Sequence, residues 1–76
     1  MKTDYPERYR TLGLKIAYYR KKAGLTQEQL AEQVKLSTVF LAQVEAPGVM
    51  MGISLESLFR IADALQVPLS KLVEED

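Results

Sequence analysis

TQEQLAEQVKLSTVFLAQVE, residues 26–45, carries two helix starts in quick succession. Thr26 is a good N-cap, and Gln29 three residues on completes a capping box of the T-x-x-Q form. Leu30, Ala31 and Val34 follow at helical spacing, which predicts a short helix over residues 27–33. Ser37 is a second cap. Beyond it Leu41 and Val44 make one apolar stripe, and Thr38, Val39, Ala42 and Gln43 lie off that stripe. With only three or four residues between them, two such helices cannot lie side by side antiparallel. They are expected to cross steeply, with Ala31 as the small residue at the contact.

N-terminal to this stretch, Leu12, Ile16 and Tyr19 are spaced by four and three, which predicts a first helix over residues 9–22. Arg20, Lys21 and Lys22 complement the dipole at its C-terminal end, and Gly24 supplies a left-handed stop. Residues 1–8, containing Tyr5-Pro6, read as an extended lead-in. C-terminal to it, Pro47 and Gly48 mark a turn after Glu45. Ser54 caps a fourth helix whose inner face is expected to hold Leu55, Leu58, Phe59, Ala62 and Leu65, with Ile61 close by. Pro68 then opens a last turn or two over Leu69–Val73, and residues 74–76 form an acidic tail. The expectation is one all-α domain of five helices over residues 9–73.

Seventy-six residues make a small domain, in the range where a single core leaves about 3–5 kcal/mol of net stability. The chain is 47% hydrophobic, enough for such a core, and contains neither cysteine nor histidine. Disulfides, thiolate metal sites and the commonest general acid/base are thereby removed. There is no glycine-rich phosphate loop, no nucleophile beside a base and no metal-ligand cluster. Glu28 and Glu32, one turn apart, read as ordinary surface charge. No enzymatic activity, cofactor, metal or small-molecule substrate is expected. The charged N-terminus does not read as a signal peptide, and no segment approaches the roughly 20 apolar residues that span a bilayer. A cytoplasmic setting away from the membrane is the expectation.

Net charge is zero but unevenly placed: the first 22 residues carry +5 and the remainder −5. A basic first helix could meet phosphate, although Lys21 and Lys22 fit a purely solubilising role as well.

Gly24-Leu25-Thr26-Gln27, Leu30-Ala31, the Ser37 cap, Leu41 and Val44-Glu45 together resemble the lambda-repressor-like (Xre) helix-turn-helix family. A second match lies at Ser54-Leu55-Glu56-Ser57-Leu58 and Ile61-Ala62-Asp63-Ala64-Leu65. With Arg20 included, the resemblance covers about residues 12–73. It implies a five-helix DNA-binding domain in which helices 2 and 3 are the helix-turn-helix. It also implies that Arg20, four residues before the glycine, pairs with Glu45 at the end of the third helix; the alternative is an arginine in solvent. Lys35 departs from the family, which usually has glycine at this turn. The uncharged segment 46–53 departs too, because related loops are shorter and polar or basic.

Carried over residue by residue, the resemblance puts Gln27 on a phosphate and Ser37, Thr38, Val39, Ala42 and Gln43 at the start of a recognition helix facing the major groove. Gln43 could bond adenine N6 and N7 together, Thr38 could reach a base or phosphate, and Val39 or Ala42 could meet a thymine methyl. Lys15, Arg20 and Lys35 are further phosphate candidates. No lysine or arginine lies on that helix, so an A·T-rich double-stranded DNA site, read by a homodimer, is expected. Phe40 is the oddity: it points away from the Leu41–Val44 stripe. The apolar residues Val49, Met50, Met51 and Ile53 either fold back over the core or meet a second copy or another protein. A protein-interaction module using Phe40 and that loop is the competing expectation.

Overall fold

The computed structural model describes residues 2–75; Met1 of the lead-in and Asp76 of the tail lie outside them. The described residues form five helices and no strand: α1 (Pro6–Lys22), α2 (Gln27–Val34), α3 (Thr38–Glu45), α4 (Leu55–Leu65) and α5 (Leu69–Val73). Helix α1 packs on α3, α4 and α5, and α2 packs on α3 and α4.

Each helix boundary has a local cause. The capping box at α2 is complete: the Gln29 N–H donates to Thr26 Oγ1 (3.1 Å) and the Thr26 N–H to Gln29 Oε1 (2.8 Å). Ser37 accepts from the Phe40 N–H at 3.0 Å, and Ser54 from the Ser57 N–H at 3.1 Å. Caps of this kind contribute about 1 kcal/mol each. At the end of α1, Gly24 takes φ +77°. The Leu25 N–H then reaches back to the Arg20 carbonyl and the Gly24 N–H to that of Lys21, a double closure that satisfies the last carbonyls of the helix.

The first helix starts three residues before the expected residue 9. Pro6 sits in its first turn, where a fixed φ and a missing N–H cost nothing, and the Arg8 and Tyr9 N–H groups donate to the Tyr5 carbonyl. Tyr5-Pro6 therefore initiates the helix rather than delaying it.

Two turns use the left-handed conformation without glycine, Lys35 at φ 59° and Gln66 at φ 58°. The Leu36 N–H reaches the Ala31 carbonyl and the Val67 N–H that of Ala62, so both turns close as Gly24's does. A side chain there costs about 1 kcal/mol relative to glycine. Lys35→Gly is therefore expected to raise unfolding stability by about 1 kcal/mol, read as a higher urea midpoint with unchanged slope.

Ile16, Leu30, Val34, Leu41, Ile61 and Leu72 are fully buried at the centre, one or two from every helix, and Ala31 is buried between α2 and its neighbours. Burying each large side chain stabilises by roughly 1.5–3 kcal/mol. In α4 the inner stripe is Leu58, Ile61, Ala62 and Leu65. Leu55 and Phe59, expected on that face, are instead 63% and 51% exposed. The core accepts the i, i+3, i+4, i+7 set, and these two fall on the flank beside it. Ile61, expected only nearby, lies wholly inside.

Candidate nucleic-acid interface

Helix α3 is held from behind and bare in front. Leu41, Val44 and Glu45 are buried, whereas Val39 (69% exposed) and Gln43 face solvent and Thr38 and Ala42 are half-covered. Lys35 and Ser37 are exposed in the turn that leads into them.

Arg20 and Glu45 fix the far end of α3. Both are 7% exposed. Arg20 Nε donates to Glu45 Oε2 at 2.8 Å and Nη2 to Oε1 at 2.9 Å, while Nη1 donates to the Leu25 carbonyl at 2.8 Å. This bidentate geometry commits Arg20 first to the Glu45 carboxylate and the Leu25 carbonyl. Gln27, expected on a phosphate, places its amide nitrogen 3.0 Å from Glu45 Oε1.

Two residues that no sequence pattern singled out, Gly13 and Arg10, complete the support. Gly13 is buried in α1, and a Cβ added there would stand 2.1 Å from the Val44 carbonyl oxygen. Helices α1 and α3 therefore meet backbone to backbone. A glycine in mid-helix is the only sequence trace of such an approach. Arg10 donates from Nε to the Pro47 carbonyl at 3.1 Å and pairs with Glu7, tying the start of the following loop to α1.

In that loop Met51 and Ile53 pack against the core, while Val49 stays 40% exposed. Phe40, which points away from the Leu41–Val44 stripe, is half-buried and packs against the same core. An aromatic ring one position off the main stripe still reaches the apolar interior when the helix lies this close to it. Three residues of the competing docking expectation, Phe40, Met51 and Ile53, thus pack in part against the domain's own core. Further exposed apolar side chains are Leu55 and Phe59 of α4 and Val73 of α5, and Val73 also lines a groove of about 420 Å³ with Arg8, Tyr9, Leu12, Ile53 and Leu58. No group of three or more potential metal ligands occurs among the described residues, and no helix there is long and apolar enough to cross a membrane.

Comparison with known proteins agrees with this geometry. The helix-turn-helix family model matches residues 16–72. An immunity repressor protein of Bacillus phage phi105 is 39% identical over 66 residues, 87% of this chain; the chain spans 44% of that relative's length. Among solved structures, the restriction-modification controller protein C.AhdI from Aeromonas hydrophila superposes with a TM-score of 0.77 at 26% identity, covering 84% of this chain and 94% of that one. A hypothetical transcription factor, NHTF from Neisseria, gives 0.78 at 28% identity over 90% of this chain and 75% of its own. The SinR–SinI protein complex gives 0.77 at 26% identity over 84% of this chain and 61% of that one. With two capped helices joined by a tight turn, a buried arginine–glutamate clamp behind the second, and a family match across most of its length, the chain belongs to the lambda-repressor-like helix-turn-helix family of DNA-binding transcriptional regulators.

Proposed function

We propose that this domain is a sequence-specific repressor that places the outer face of α3 in the major groove of its operator. The observation that carries the proposal is the contrast along α3: a rear face locked by Gly13, Arg20 and Glu45, and a front face on which Val39 and Gln43 are exposed and Thr38 and Ala42 half-covered. Base edges are read by side chains on such a fixed helix, while phosphates hold its register. Gln43 bonds adenine N6 and N7, Val39 packs on a thymine methyl, and Thr38 contacts a base or the backbone. Lys35, Gln27 and the free N–H groups opening α2 and α3 face the phosphates. With so few cations at the contact, affinity falls with salt less steeply than for a strongly basic repressor.

Selection of duplexes from a random pool tests this directly. An enriched A·T-rich motif is expected, and Gln43→Ala should cost about 1–3 kcal/mol at one base position while leaving the others unchanged. Equal weak binding to every sequence would overturn the proposal.

A single small domain buries little DNA, so the regulator acts as a dimer on half-sites about one helical turn apart. Leu55 and Phe59, exposed one turn apart on α4, support a two-fold contact through α4 rather than through Met51, which packs against the core. Phe59→Asp is expected to abolish dimer in sedimentation equilibrium and weaken operator binding at least tenfold, with the monomer fold intact by circular dichroism. An unchanged sedimentation profile would place the contact elsewhere.

A further inference from the structure

Gln27 opens α2, yet its side chain reaches 18 residues along the chain to Glu45. Glu45 Oε1 thus accepts from both Arg20 Nη2 (2.9 Å) and Gln27 Nε2 (3.0 Å). We infer that Glu45 is a positioning residue for DNA binding, holding the Gln27 amide with its second N–H available to a backbone phosphate; this rests on the DNA-binding reading above.

A carboxylate only accepts hydrogen bonds, so the atom it faces must be the NH2 nitrogen. A glutamine free at a surface turns either end outward, and the carbonyl end meets a phosphate with lone pair against lone pair. Glu45 removes that wrong orientation, because it would set the same clash against its own Oε1. One N–H of the amide is used on Glu45, and the other remains at the N-terminal end of α2, where the helix dipole also favours an anion. Ordering this long side chain before DNA arrives removes an entropic cost from association.

A carboxylate beside a phosphate contact would by itself repel the ligand. Arg20 cancels that charge through both oxygens, from a position too buried to compete for the phosphate. The three residues therefore act as a neutral holder. The buried pair does two jobs, clamping α3 to α1 and aiming a donor from α2.

The test is a double-mutant cycle with Gln27→Ala, Glu45→Gln and both together, on the duplex that the unaltered chain selects from a random pool and on a scrambled duplex. Binding is measured at one salt concentration and at a temperature where circular dichroism finds every variant folded. Gln27→Ala should weaken binding to both duplexes by roughly tenfold, and by less than about twofold once Glu45→Gln is present. Equal losses in the two backgrounds overturn the inference. So does an unaffected Gln27→Ala, in which case the enriched motif keeps the DNA-binding reading standing. No enriched motif removes both.

Should Glu45→Gln fail to fold, the unaltered chain supplies the answer by NMR. Adding the duplex should shift one of the two Gln27 Nε2 proton signals and leave the other in place. Both moving together would mean that the amide leaves Glu45, against the inference.

Discussion

Glu45→Ala should leave little folded protein at room temperature. Removing the carboxylate strands a guanidinium that is 7% exposed, with only the Leu25 carbonyl still accepting from it. Breaking a buried pair from one side costs about 3–5 kcal/mol, which matches the whole net stability of about 3–5 kcal/mol available to a domain of this size. Urea unfolding followed by circular dichroism would show a midpoint near zero. The double variant Arg20→Met with Glu45→Leu separates two explanations. If the loss comes from the stranded charge, the double variant recovers much of the stability, because apolar residues of similar volume replace a buried pair at little cost. If the pair is itself the main source of stability, the double variant is as unstable as the single one. The exposed pairs Arg8–Glu75, Arg60–Glu56 and Lys71–Glu74 offer no such leverage, since solvent screens them to under about 1 kcal/mol each.

Gly13→Ala is the second large effect expected. Alanine is the better helix former by about 1 kcal/mol, so on propensity alone the change would stabilise α1. Packing decides the other way. The new methyl would stand 2.1 Å from the Val44 carbonyl oxygen, with the Val44 carbonyl carbon at 3.2 Å and the Glu45 Cα at 3.4 Å. All three are backbone atoms, so no side chain can turn aside, and the two helices must part. A net loss of about 2 kcal/mol or more is expected, together with weaker operator binding at a temperature where the variant is still folded. Gly48→Ala is the control: nothing lies within 4 Å of its added Cβ, and stability should stay within about 0.5 kcal/mol. If Gly13→Ala melts with the unaltered chain, the close approach of α1 to α3 is not a constraint.

Local rules carried most of this fold in the sequence. Thr26 with Gln29, Ser37, Ser54 and Gly24 each mark a boundary through chemistry confined to a few neighbouring residues, and each lies where that chemistry puts it. What failed was long-range. Leu55 and Phe59 are as apolar as Leu58 and Leu65, and only the direction from which α2 and α5 approach decides which of them is covered. Whether Phe40 packs inward was open for the same reason, since its partial burial against the core is not set by the stripe of its own helix. The pairing of Arg20 with Glu45 came from family resemblance, because residues 25 apart carry no mutual periodic signal. The Gln27 bond to the same carboxylate, and the contact at Gly13, had no signal beyond an amide at a helix start and a glycine out of place.

Because α3 is fastened through backbone at Gly13 and through Glu45, its outward side chains contribute almost nothing to holding the molecule together. Val39 and Gln43 are thus free to be exchanged for other polar or apolar residues with stability changes of about 0.5 kcal/mol or less. If α3 reads bases as proposed, exchanges at these two positions change the target sequence and leave the fold intact.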